Sequence, residues 1–181
     1  MRTKLIIVLA AVAMLFTACG KDKTYKNELT WNGETRQLIS NVQIRHNGTE
    51  YYISGWTDLE EGHDHPEYSF DCEINKDNLN KTFDLAAGNI AEQNGYRIWA
   101  NRFYSPDNHW FYNKFHHSVH ENTWSGNING TNFENTSIFK SGTMTITLEN
   151  DAFVLSLDGV LKNDDTFTVD LYIPREKFIN R

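Results

Sequence analysis

The C-terminal third of the chain alternates apolar and polar residues with a period of two over three consecutive segments. In residues 142–148 methionine, isoleucine and leucine alternate with three threonines, and residues 153–157 and 167–173 continue the pattern. Side chains of a β-strand point alternately to the two faces of its sheet, whereas an amphipathic helix needs apolar residues three and four positions apart. The pattern therefore predicts three neighbouring antiparallel strands, each with one buried face.

Turn signals divide the rest of the chain in a similar way. Asn-Gly dipeptides accept positive φ at both central positions of a type I′ hairpin turn. They occur at Asn32-Gly33, Asn47-Gly48, Asn94-Gly95 and Asn129-Gly130. Aromatic or alternating stretches predict further strands on both sides of Asn47-Gly48, over 38–44 and 51–56, and at 67–74, 81–85, 96–104, 109–115 and 124–128. We expect about nine or ten strands, no long helix and a single β-domain over residues 28–181.

Two all-β architectures fit such an antiparallel meander. The first is a two-sheet β-sandwich. The alternative is an up-and-down barrel of the lipocalin or calycin type, which would enclose a ligand cavity. The sandwich is the favoured prediction, because the pattern identifies only the last three strands as sequential neighbours.

The first residues have the layout of a targeting segment. Arg2 and Lys4 precede an unbroken apolar run over residues 5–16. Twelve helical residues span about 18 Å, which is short of the roughly 30 Å hydrocarbon core of a bilayer. The run therefore predicts a secretory signal peptide and not a transmembrane helix.

The apolar run ends in Phe16-Thr17-Ala18-Cys19-Gly20, which resembles the lipobox of bacterial lipoproteins. The resemblance implies cleavage after residue 18, a lipid on Cys19, and a polar tether over residues 19–27. With its Asn-rich and aromatic-rich body, the chain resembles Bacteroidota-type envelope lipoproteins. That resemblance implies anchoring in the bacterial cell envelope, at the outer membrane, and leaves periplasmic and surface-facing orientations both open.

Charge and cysteine content exclude several classes of function. The chain has 17 basic and 24 acidic residues, a formal charge of −7, so it lacks the basic composition of a general nucleic-acid binder. Two cysteines are too few for a disulfide-stapled scaffold or a four-cysteine zinc site. If Cys19 carries lipid, Cys72 has no partner within the chain, and we expect it to be a small buried hydrophobe.

Two histidine-rich stretches are candidate metal ligands. His116 and His120 lie among aromatic residues in 109–124, and His63 and His65 lie in an acidic stretch. On a strand, the first two would share a face but lie about 13 Å apart, too far for one ion. On a helix they would be one turn apart and could chelate. A divalent-metal or haem site from these four histidines is therefore one hypothesis, and surface or cross-strand histidines are the alternative.

Tryptophans suggest a second kind of site. Planar aromatic rings stack on the apolar faces of pyranose rings, while Asn and Asp side chains bond to sugar hydroxyls. Trp99, Trp110 and Trp124 are the candidates for such a ligand-binding surface. The alternative is that they fill the core of the β-domain, because each buries a large apolar area.

Motifs of the common enzyme classes are absent from the sequence. It contains no Gly-x-Ser-x-Gly elbow, no phosphate-binding glycine loop and no Cys-x-x-Cys. We therefore predict a lipid-anchored, non-catalytic β-domain with a binding or assembly role and no obligatory cofactor. Its expected contacts are the membrane, through the lipid, and a small ligand, a glycan or another envelope protein. Metal or haem capture and glycan binding are the two alternative functions.

Overall fold

The three alternating segments form an antiparallel meander of long strands. The computed structural model describes residues 26–59, 65–86, 95–103 and 111–180, without the side chains of residues 111–112. Residues 139–149, 152–161 and 166–174 pair in sequence order, and the threonines of the first segment face outward. The prediction of three neighbouring strands with one buried face is confirmed.

Two sheets pack face to face in the described part of the chain, which contains no α-helix. The predicted β-sandwich is therefore confirmed, and the barrel alternative is wrong because the sheets do not close on each other. The strands are β1 (Glu28–Trp31), β2 (Glu34–Gln37), β3 (Ile39–Arg45), β4 (Glu50–Trp56), β5 (Tyr68–Asn75), β6 (Lys81–Asp84), β7 (Tyr96–Phe103), β8 (Phe111–His120), β9 (Thr123–Ile128), β10 (Thr131–Glu134), β11 (Phe139–Glu149), β12 (Ala152–Leu161), β13 (Thr166–Pro174) and β14 (Phe178–Asn180).

The strand order assigns each strand to one sheet. The six-stranded sheet has the order β2-β1-β13-β12-β11-β6, and the eight-stranded sheet has the order β10-β9-β8-β7-β5-β4-β3-β14. The chain changes sheet at Leu38, between β2 and β3, then on either side of β6, between β10 and β11, and between β13 and β14. Single turns of 3₁₀ helix lie at His46–Gly48, Lys76–Asn78 and Arg175–Lys177.

Two of the predicted Asn-Gly turns have positive φ at both residues, as their sequence predicts, while Asn94 of a further one lies outside the described residues. Asn32 and Gly33 have φ of 50° and 81°, and Asn129 and Gly130 have φ of 49° and 93°. At Asn47 the turn is longer, because His46 also has a positive φ. Gly142 has φ of 144° beside an irregularity in the β11–β12 ladder, and a Cβ there would lie 2.5 Å from the carbonyl oxygen of Asp158. That backbone approach requires glycine.

The C-terminal strand β14 was not foreseen from the sequence. The alternation ends at Pro174, but after one 3₁₀ turn the chain adds β14 parallel to β3, at the edge of the eight-stranded sheet. A three-residue strand is too short to show a period of two.

Apolar side chains from both sheets fill the space between them. Trp31, Phe115 and Phe167 are mutually in contact, with ring centroids 4.8–5.6 Å apart, and all three are at most 2% exposed. Cys72 is fully buried, as expected, and burial raises the pKa of its thiol. In the described ranges, no helix has the length and hydropathy needed to cross a bilayer.

Candidate functional site

The outer face of the eight-stranded sheet carries large polar and aromatic side chains in register across its strands. Strand pairing aligns them in rows that run across the sheet. One row contains Asn41, Ser54, Asp71, Trp99, His116 and Asn127. The next row contains Gln43, Tyr52, Glu73, Arg97, Ser118 and Ser125.

Three rings from different strands form an aromatic cluster in these rows: Tyr52, Trp99 and His116. Trp99 and His116 are directly opposite on β7 and β8, and their rings stack with centroids 5.5 Å apart and planes inclined by 23°. The Tyr52 ring lies 6.4 Å from Trp99 on the other side. All three rings are half-buried, so each keeps part of its surface open to solvent.

Charged groups support the Tyr52 side of the aromatic cluster. The Arg45 guanidinium lies 4.0 Å from the centroid of the Tyr52 ring, within the range of a cation–π contact. Asp71 is on β5, the strand between those of Tyr52 (β4) and Trp99 (β7), and accepts a 2.7 Å hydrogen bond from the Ser54 hydroxyl. Burial raises the pKa of the Asp71 carboxyl, against the lowering effect of Ser54, Tyr52 and Arg45. Burial, followed by the charge of Asp71, raises the pKa of Tyr52 to about 12.

Next to the aromatic cluster lies a polar cleft at the end of the same face. Its volume is about 140 Å³, and its lining residues are Glu50, Glu73, Asn75, Gly95, Tyr96, Arg97, Val119 and His120. Glu73 is in register with Tyr52 and Arg97 and is two residues from Asp71 on β5. The cleft and the aromatic cluster are therefore continuous along the sheet surface, and we call them together the outer-face site.

Electrostatic pairs balance much of the charge in the cleft. The Arg97 guanidinium lies 3.6 Å from a carboxylate oxygen of Glu73. Glu50 is in register with Arg45 and lies 3.8 Å from the His46 ring nitrogen. Burial and the nearby charge of Arg97 lower the pKa of His116, so this ring is neutral at pH 7. The outer-face site thus offers neutral rings beside paired donors and acceptors.

Two of the four predicted metal ligands lie on the same sheet face but are too far apart to chelate one ion. His116 and His120 share the outer face of β8, as the strand geometry requires, and lie about 13 Å apart along it. His65 is exposed elsewhere and stacks on Phe103, with centroids 5.0 Å apart. His63 lies outside the described residues. No group of three or more His, Cys, Asp or Glu side chains suited to a metal ion occurs among the residues that are described.

The tryptophan candidates separate in the structure. Trp99 belongs to the outer-face site, whereas Trp110 lies outside the described residues. Trp124 is only 5% exposed and packs against His117 in the core, so it presents no open ring to a ligand. The expectation that Trp124 joins an exposed surface is wrong, because its position on β9 faces the opposite sheet.

His117 differs from its neighbour His116 because it points inward. Its Nε2 lies 3.2 Å from the Tyr96 hydroxyl, while Nδ1 has no hydrogen-bond partner within the described structure. Complete burial lowers the pKa of His117 to about 3, so the ring is neutral.

Sequence reasoning missed most of the polar groups of the outer-face site, namely Tyr52, Asp71, Glu50, Glu73 and Arg97. Their alternation with buried residues could have placed each on a solvent-facing side. No local signal could show that β5 and β7 are adjacent, because the chain between them passes through β6 in the other sheet.

Comparisons with protein-family models, with curated proteins and with solved structures found no match to this chain.

Proposed function

We propose that this protein is a lipid-anchored, non-catalytic binding protein of the bacterial cell envelope, and that glycans are its ligands. The observation that carries the binding role is the aromatic cluster adjoining a polar cleft on one sheet face. Binding sites usually combine aromatic contact surface with a few placed polar groups. The outer-face site has this composition.

Support for the anchor comes from the leader sequence. Residues 5–16 and the Cys19 context resemble a lipoprotein signal, although these residues lie outside the described part. Removal of residues 1–18 would leave 15 basic and 24 acidic residues and a formal charge of −9. The nine residues of the tether, 19–27, extend at most about 30 Å.

The tether of the proposed anchor leads into one sheet, whereas the outer-face site lies on the other. The first described strand, β1, belongs to the six-stranded sheet, whereas the outer-face site is on the eight-stranded sheet. In this arrangement the tether joins the sheet opposite the site. The proposed outer-membrane location is compatible with either orientation.

A glycan fits the outer-face site better than a metal ion or haem. A pyranose ring has an apolar face that packs on aromatic rings and a rim of hydroxyls that both donate and accept hydrogen bonds. Trp99 and its neighbours supply the aromatic surface, and Glu73, Asn75 and Arg97 supply acceptors and donors next to it. His65, His116 and His120, the three predicted metal ligands that the structure describes, do not converge in the same way.

Binding can be tested on a glycan array with the soluble chain from residue 26. We expect binding to at least one glycan, and Trp99→Ala should weaken it at least about tenfold, as for an aromatic residue that carries much of the binding energy. Trp56→Ala is the matched control, because Trp56 is half-buried on the same outer face but beyond the aromatic cluster. No glycan binding, or equal losses in both variants, would refute the assignment.

Anchoring is tested separately in cells given labelled palmitate. The full-length chain should incorporate label and fractionate with membranes, and Cys19→Ser should abolish the label. Cys72→Ser is the control for the other cysteine, which is buried. Label that persists in Cys19→Ser would contradict the proposed anchor.

A further inference from the structure

We infer that the outer-face site selects uncharged glycans and rejects glycans rich in carboxylate or sulfate groups. This inference rests on the proposed glycan-binding function and adds the chemical class of the sugar. Its basis is the juxtaposition of three carboxylates and two guanidinium groups around the aromatic cluster.

Carboxylates outnumber guanidinium groups in the outer-face site, which spans the two rows described above and the adjoining row of Arg45, Glu50 and Asn75. Glu50, Asp71 and Glu73 contribute the acidic groups, and Arg45 and Arg97 contribute the basic ones. Asp71 is in register with Trp99 and is half-buried, so salt would only partly screen the repulsion between its carboxylate and a bound anion. An acidic sugar on the rings would therefore meet an unfavourable local charge.

Both guanidinium groups are already engaged. Arg97 lies 3.6 Å from Glu73, and Arg45 donates a 3.2 Å hydrogen bond to Gln43 while covering the Tyr52 ring. Anion recognition by arginine usually relies on a guanidinium free to make two parallel hydrogen bonds. In the outer-face site an acidic ligand would have to displace these contacts first.

Uncharged hydroxyls match the remaining hydrogen-bonding capacity. A carboxylate such as Glu73 accepts hydrogen bonds, the Arg97 guanidinium donates them, and Asn75 does both. A hydroxyl can donate to the first and accept from the second without separating the ion pair. The pair therefore acts as a positioning group for neighbouring hydroxyls, while the aromatic cluster contacts the sugar face.

Titration calorimetry of the soluble chain can test this selectivity. The probes are uncharged hexasaccharides of glucose, mannose and galactose, together with hexagalacturonate. We expect at least one uncharged probe to bind at least about tenfold more tightly than hexagalacturonate, since like charges in an interface cost several kcal/mol. That binding should be lost in Trp99→Ala and retained in Trp56→Ala.

A charge variant makes the inference falsifiable in the opposite direction. The double substitution Glu50→Gln with Glu73→Gln keeps the shapes of the side chains but removes two carboxylates, so hexagalacturonate should bind more tightly. The unmodified chain could instead bind hexagalacturonate more tightly than every uncharged probe, and lose that binding in Trp99→Ala. This result would overturn the selectivity but would support glycan binding at the outer-face site. Absence of binding by all four probes would overturn the selectivity for uncharged glycans, whereas the glycan-binding proposal fails only if the array also shows no binding.

Discussion

The two sheets share one alternating pattern but differ on both of their faces. The six-stranded sheet exposes rows of small hydroxyl side chains, as in Thr82, Thr145 and Ser156, and its inner face is apolar. The eight-stranded sheet exposes the outer-face site and buries a histidine, His117, on its inner face. Alternation alone therefore locates the core, while the identity of the outward residues distinguishes a supporting face from a binding face.

Threonine suits an exposed sheet face because its branched side chain packs well on the pleated surface. Its hydroxyls also find partners locally: Thr82 and Thr145 are 3.2 Å apart, and Thr30 and Thr35 are 2.8 Å apart. These hydroxyl groups on the outer face of the six-stranded sheet thus satisfy each other's hydrogen-bonding capacity. The eight-stranded sheet has large rings and guanidinium groups at the same kind of position.

The largest expected effect is acid destabilisation through His117. Its pKa lies near 3 when folded and near 6.5 when unfolded, so the unfolded chain binds the proton between these values. The stability contribution is complete above pH 6.5 and declines as the pH falls toward 3. The total loss is up to roughly 5 kcal/mol.

Urea unfolding at a series of pH values measures this loss. The matched variant is His117→Phe with Tyr96→Phe, which removes both hydrogen-bonding partners together and leaves neither orphaned. The pH dependence between 6.5 and 3 should be markedly shallower in the variant. Identical slopes would show that His117 does not cause the acid sensitivity.

A second prediction separates the two tryptophans by role. Trp124→Ala empties a core position and should cost about 3–5 kcal/mol of unfolding free energy. Trp99→Ala removes a half-buried ring from the outer face and should cost about 1 kcal/mol. Thermal or urea denaturation measures both, and equal costs would remove the distinction between a core and a surface tryptophan.

The smallest effect is expected on the threonine rows. Thr145→Val keeps the branched shape and removes one exposed hydroxyl, so its effect on stability should stay within about 0.5 kcal/mol. Ligand binding to the opposite sheet should not change. A loss of binding in Thr145→Val would contradict the assignment of the six-stranded sheet as a supporting face.

The sequence predicted the fold class and the long strands because each carries enough residues to display its period. Strands β1, β2, β10 and β14 have three or four residues, which is too short for that test, so the described residues contain fourteen strands where about nine or ten were expected. Trp99 and His116 were identified as candidates by residue type alone. Their stacking depends on the register between β7 and β8, which local sequence does not encode.

His117 illustrates the same limit from the other side. The sequence of residues 109–124 does not distinguish the adjacent histidines His116 and His117, yet His116 lies on the outer face and His117 in the core. If this stretch is a strand, its period of two places the two histidines on opposite faces of the sheet. Which of the two is buried depends on where the second sheet lies, and that information comes from the whole fold.

The central position of β1 in its ladder has a mechanical consequence. It pairs with β2 on one side and β13 on the other, over four residues in each case. A pull on the chain ahead of Glu28 acts along the strand, so both sets of hydrogen bonds are loaded in shear and must yield together. A protein held by lipid at Cys19 would transmit tension into the part of the six-stranded sheet that can resist it on two sides.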